Sequence, residues 1–305
     1  MLRSKVIYTA ALLLLLCICG SCSNQSASQA STTAESMQTA ETGEQSISGN
    51  DQSSSSEISE SEKNALAKAA GAAELPSGSG SYQVENGILY AAGQAVDTGV
   101  TTLDLSDTKF EDYTFLSDFI NLETLVLSGS DIKDLTPLVP CVRLKSLALN
   151  GCSQVSDLAP LSGLNALETL FLTSIECDLD LSPLSTLTEL KTLQLNFSQV
   201  TDISPLSSLS QLSYLGLWAA PVTDFSAIGA MTSLTEFSVS NTAFSDLSVI
   251  SGHSKLEVLD ISYTAVTDYS VLLEEDFPAL RELYCDAEGD TLAALNEAYP
   301  NCLIG

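Results

Sequence analysis

The chain has 305 residues and a formal net charge of −28, from 39 Asp and Glu set against 11 Lys and Arg. That field excludes nucleic acid as a partner, because phosphate binding is carried by clustered Lys and Arg. A single histidine, the absence of a Gly-rich phosphate loop after a strand, and the lack of HExxH or clustered Cys/His spacing leave no motif for a cofactor, a metal centre or an enzyme.

Residues 1–21 begin with Arg3 and Lys5, continue through an apolar run from Val6 to Ile18, and close on Gly20 and Ser21. This is the pattern of a secretion signal, and the run is shorter than the roughly 20 residues that span a bilayer. Cys19-Gly20-Ser21-Cys22 resembles a bacterial lipobox, although Cys19 stands where that motif prefers an aliphatic residue. The resemblance implies a lipid on Cys22 and a protein exported to the outer face of the cell membrane and held there by that lipid, as in the lipoproteins of Gram-positive bacteria. Ordinary signal cleavage without a lipid is the alternative. In both cases, losing Arg3 and Lys5 takes the net charge from −28 to about −30.

Residues 22–80 are rich in Ser, Thr, Gln, Ala, Gly and Glu and nearly free of aromatic or long aliphatic side chains. Such a segment buries too little to offset its ordering entropy, so it reads as a flexible linker with an r.m.s. reach of roughly 40–45 Å. The stretch NALAKAAGAAEL within it tolerates helix, but it has no clear apolar face. Residues 81–99 alternate polar and apolar side chains around Asn86-Gly87, a hairpin signal, and are expected to cap the first coil of the repeat region.

From residue 100 to residue 279 one frame recurs, clearest in LKTLQLNFSQVTDISPLSSLSQ from Leu190 to Gln211. It returns at Leu122, Leu144, Leu167, Leu212, Leu234 and Leu256, and the steps from Leu190 to Leu256 are 22 residues each. In each copy LxxLxL suits a short strand with its leucines facing in, and the Pro that comes after it at Pro205 and its equivalents forbids a long helix. One coil alone leaves its interior open at both ends, so the coils must stack, their strands about 4.8 Å apart, into a ribbon roughly 40 Å long.

LxxLxL, a small residue, then [IV]xD[ILF]xPL resembles the internalin-type leucine-rich repeats of Gram-positive surface proteins. The resemblance implies an α/β, right-handed solenoid with a parallel sheet on its concave face and 3₁₀ or short helical turns on its convex face. The Asn that this family buries after the strand is here Ser130, Cys152, Ser198, Ala220, Thr242 and Thr264. Small or hydroxyl residues in that slot bond the bend only in part.

Asp112, Asp134, Asp157, Asp180, Asp202, Asp224, Asp246 and Asp268 recur once per coil. A carboxylate ladder invites Ca²⁺, but one acid per coil suits capping of the adjoining turn better than a cage. Cys141, Cys152, Cys177, Cys285 and Cys302 lie beyond the signal and Cys22, an odd set; Cys152 and Cys177 read as core residues, and Cys285 and Cys302 as a candidate bridge. His253 reads as a solvated loop residue. Residues 280–305 keep the strand and then turn to a short helix from Asp290 to Ala298, a closing cap.

Function is sought on the outward face of the strands, at the third and fifth repeat positions and the two just beyond, which carry Val126, Phe171, Phe197, Tyr214, Trp218, Glu236, Asp260, Tyr263, Glu282 and Tyr284. Phe171, Phe197, Tyr214 and Trp218 come from successive coils and are expected to form one exposed aromatic patch, with Glu236, Asp260, Tyr263 and Glu282 beside it. Exposed aromatics mark recognition surfaces. The expected function is therefore protein or peptide binding, and the alternative is stacking on the sugar rings of a glycan or cell wall. An enzyme would need a nucleophile and an orienting group converging on His253.

Overall fold

The computed structural model describes residues 79–91 and 93–305. The signal segment, Cys22 and the Ser-rich stretch as far as residue 78 lie outside the described residues. Strand β1 (Ser79–Gly80) pairs in parallel with β6 (Lys109–Phe110) beside the first coil. Strands β2 (Tyr82–Glu85), β3 (Ile88–Ala91) and β4 (Gln94–Asp97) form an antiparallel meander. Asn86 and Gly87 have φ of 52° and 77°, the two positive values that a tight type I′ turn requires. A third strand, β4, extends the hairpin expected from Asn-Gly. Tyr82 packs edge-on against Phe110 and Phe115, with ring centroids 6.1 Å and 4.7 Å away, so the meander closes over the first coil with aromatic side chains.

The recurring x-Leu-x triplets form a ten-stranded parallel sheet in chain order. Its strands are β5 (Thr102–Asp104), β7 (Thr124–Val126), β8 (Ser146–Ala148), β9 (Thr169–Phe171), β10 (Thr192–Gln194), β11 (Tyr214–Gly216), β12 (Glu236–Ser238), β13 (Val258–Asp260), β14 (Glu282–Tyr284) and β15 (Leu303–Ile304). Register holds across the sheet, with Leu147, Leu170, Leu193 and Leu215 side by side and fully buried. The chain is a leucine-rich repeat solenoid with this sheet on its concave face.

On the convex side each coil returns through a 3₁₀ turn such as Ser182–Thr186 or Ser204–Ser208. Proline near the start of these turns has its φ preset and needs no donor. The recurring aspartates set where each turn begins. In every coil from Asp112 to Asp268 the carboxylate accepts the backbone N–H two residues on, at 2.8–2.9 Å. These are Asx turns, and they account for one acid per coil. Hydrogen bonds from Thr136, Ser182 and Ser248 hold Asp134, Asp180 and Asp246 below the usual carboxylate range. In the eighth coil the turn is instead a short helix, α1 (Ser270–Glu274).

In the slot after the strand, hydroxyls are satisfied locally. Thr108, Ser198, Thr242 and Thr264 donate to the carbonyl three residues back at 2.6–2.7 Å, and the Cys152 thiol reaches Leu127 O at 3.0 Å. Burial pushes the Cys152 thiol up, as expected of an inert core residue. Cys177 is half-buried, its thiol 2.7 Å from Val155 O. Cys285 and Cys302 are free thiols, so the candidate bridge is not formed.

Two further expectations are corrected. His253 is fully buried, with Nε2 3.1 Å from Ile228 O; the position fills the same inward slot as Leu209 and Met231, which leaves the ring no solvent. The closing helix α2 spans Gly289–Ala298 and is capped at Glu288 without a side-chain bond, so Asp290 lies in its first turn rather than at its cap.

Candidate functional site

Two outward columns run along the concave sheet. The first reads Thr102, Thr124, Ser146, Thr169 and Thr192, then changes to Tyr214, Glu236, Val258 and Glu282. The second carries Val126, Ala148 and Phe171, then Gln194, Gly216, Ser238, Asp260 and Tyr284. Val126 and Phe171 face outward from their strands yet are buried, at 2% and 9% exposure. The expected exposure of Phe171 is therefore corrected: neighbouring strands only about 4.8 Å apart let adjacent side chains cover it. One strand, β10, separates it from Tyr214, which stands in the other outward column, so the covered Phe171 serves the sheet rather than the patch.

A third column begins where the chain leaves the strand. Asp107, Gly129, Gly151, Ser174, Phe197, Ala219, Asn241 and Tyr263 all have positive φ, from 55° to 72°. The conformation belongs to the coil, because it aims each N–H at the next coil: Asp107 at Ser128 O (2.9 Å), Phe197 at Trp218 O (2.7 Å), Asn241 at Ser262 O (3.0 Å). Tyr263 N–H instead donates to the Asp286 carboxylate. Gly, Asn and Asp suit this region, whereas a bulky side chain there is strained. Phe197 and Tyr263 nonetheless occupy it, 46% and 75% exposed. They are thus corner residues just beyond the strands, where their spacing puts them, in a left-handed conformation that the spacing does not reveal.

Phe197 meets Trp218 of the next coil with ring centroids 4.6 Å apart and planes tilted by 50°. Asn196 fixes this pair from below, since its Oδ1 accepts the Trp218 backbone N–H at 2.8 Å. Asn150 does the same for Thr173 two coils earlier, at 2.9 Å. A Cβ on Gly216 would lie 2.8 Å from Asn196 Oδ1 and 3.2 Å from the Tyr214 hydroxyl. Only glycine lets both side chains lie over β11. Tyr214 and Trp218 are half-buried and Phe197 is the exposed rim of the cluster.

Toward β14 the face becomes acidic. Asp260 accepts from Ser262 Oγ (2.6 Å) and Ser238 Oγ (3.2 Å), and Glu282 accepts from Arg281 (2.8 Å) and the Tyr284 hydroxyl (3.1 Å). Arg281 also donates to Glu257 at 2.9 Å. Glu236 is half-buried, and its carboxyl is pushed up mainly by desolvation; nearby Glu257 and Glu282 add to this and Arg281 opposes it. At the other end charges balance, because Lys145 bonds Glu123 and Lys191 bonds Glu168, both at 2.7 Å.

Elsewhere, a cavity of about 250 Å³ lies at the turn edge between Phe225 and Phe244. Its carboxylates, Asp224 and Asp246, are already bonded to Ser226 and Ser248. Ile120, Val139 and Val142 are exposed at the turns of the first two coils. Among the described residues no group of His, Cys, Asp or Glu is arranged to hold a metal ion, and no helix is long and apolar enough to cross a membrane.

No known family profile and no curated protein matches the chain. Solved structures do. An internalin (InlF) from Listeria monocytogenes superposes with a TM-score of 0.59 at 27% identity, covering 68% of this chain and 67% of that one. Internalin C2 from the same organism gives a TM-score of 0.57 at 27% identity, covering 64% of this chain and 87% of that one. A plant peptide hormone receptor, RGFR1, in complex with RGF2, gives 0.51 at 16% identity over 61% of this chain and 32% of that one, a likeness of fold alone.

Proposed function

We propose that the chain is an exported lipoprotein, anchored through Cys22, that binds a protein or peptide on the C-terminal half of its concave face. Phe197, Trp218 and Tyr214 form the apolar anchor. Glu236, Asp260, Tyr263 and Glu282 form the flank, and Phe171 supports the sheet without touching the ligand. The observation that carries this reading is the presence of exposed aromatics at Phe197 and Tyr263, in a backbone conformation that favours glycine. Neither the fold nor solubility calls for an aromatic there.

The site is preformed. Its backbone is held by a ladder of buried leucines, so little backbone freedom is lost on binding. Phe197 and Trp218 touch each other, and their 50° tilt leaves no flat platform for a sugar ring, which favours protein over glycan. Capture from intact cells with the full chain tests this: Trp218→Ala should abolish recovery of a discrete protein partner while the melting temperature stays within a few degrees. Retained capture by Trp218→Ala, or binding on a glycan array instead, contradicts it.

A further inference from the structure

The two features of the proposed surface have a fixed separation. Phe197 and Tyr263 occupy the same corner of their coils, three coils apart, which at about 4.8 Å per strand is roughly 14 Å. An extended peptide advances about 3.3 Å per residue, so roughly four residues bridge that distance. The backbone groups of the inner strands are bonded to neighbouring strands, so a ligand lying across them is held by its side chains.

The two ends differ in chemistry. At Phe197 and Trp218 the surface is aromatic and uncharged. At Tyr263 it combines a ring with carboxylates: Tyr263 is three-quarters exposed, Asp286 accepts its backbone N–H, and Asp260 accepts from the neighbouring Ser262, while Glu236 and Glu282 stand in the first outward column. Arg281, a cation at this end, is already shared between Glu257 and Glu282. Carboxylates beside tyrosine rings suit a guanidinium or ammonium, which gains from both the charge and the ring face.

Resting on the recognition surface proposed above, we infer that its ligand is an extended cationic segment that crosses the strands, with an apolar or aromatic side chain about four residues from a lysine or arginine. The apolar residue packs on the exposed edge of the Phe197–Trp218 pair. The cation lies over Tyr263, between Asp260 and Asp286.

Selection from a random peptide library on the full chain, purified in detergent, tests this. Recovered peptides should pair an aromatic or aliphatic residue with Lys or Arg at that spacing. Their affinity should fall at least tenfold for Trp218→Ala and for the Asp260→Asn/Asp286→Asn double variant, and should weaken as salt is raised. Peptides that lose binding with Trp218→Ala but carry no cation, or that ignore the Asn variant and salt, overturn the inference and leave the recognition surface standing. An empty selection likewise overturns the inference. Peptides indifferent to Trp218→Ala overturn both.

Discussion

The two halves of the concave sheet share strand length, register and buried leucines, yet face solvent with different chemistry. From β5 to β10 the first outward column is Thr and Ser, and the edge cations are matched by Glu123 and Glu168. From the corner where β10 ends to β14, the face carries Phe197, then Tyr214, Glu236 and Glu282 in that column, with Trp218 and Tyr263 just beyond. Since the fold is served equally well by either set, the second set is the ground on which the binding face is proposed.

The largest expected effect erases the distinction. Leu147→Ala in the first half and Leu259→Ala in the second should each cost about 2–5 kcal/mol in urea unfolding, because both are fully buried in the same leucine stack. A loss confined to one half would mean that the interior is not shared.

Next come two aromatics that separate stability from binding. Trp218→Ala should lose about 2 kcal/mol or more of binding with a small change in unfolding. Phe171→Ala should do the reverse, losing roughly 1–3 kcal/mol of stability because it is covered, with capture nearly intact. The left-handed corner sharpens the contrast. Tyr263→Gly and Phe197→Gly should raise stability by about 1 kcal/mol while weakening binding, whereas Ala219→Gly in the same conformation should leave binding unchanged.

The smallest effects appear in pH. The turn aspartates, with Asp134, Asp180 and Asp246 held below their ordinary values, give stability that is present above the unfolded carboxylate pKa near 3.9 and is lost as pH falls through the folded value. Glu236 has the opposite sign. Its raised value favours the protonated form in the fold, so stability declines as pH rises from the unfolded Glu pKa near 4.3 through the folded one. Melting curves across this range should therefore show Glu236→Gln at least as stable as the wild type at neutral pH.

Most of the fold was legible because the period carries it: LxxLxL places the strands, Asp-x-x-Pro places the turns, and Asn86-Gly87 places the hairpin. The site was legible only in part. Spacing assigned Phe171 to an outward position but said nothing of the neighbours that cover it, and it put His253 on a loop although its slot is inward. The left-handed corner had a signal in the recurrence of Asp107, Gly129, Gly151 and Asn241 at one place per coil. Phe197 and Tyr263 hid it, because aromatics are not what a left-handed backbone favours.

Benzoylphenylalanine scanning along the concave face tests the central claim most directly. Placed at Phe197 or Tyr263 on the full chain and irradiated on intact cells, it should yield an adduct of one discrete mass, and at Thr124, Ser146 or Ile120 it should yield none. Adducts of the same partner from Thr124 or Ile120, with none from Phe197 or Tyr263, would contradict the assignment of binding to the C-terminal half of the sheet.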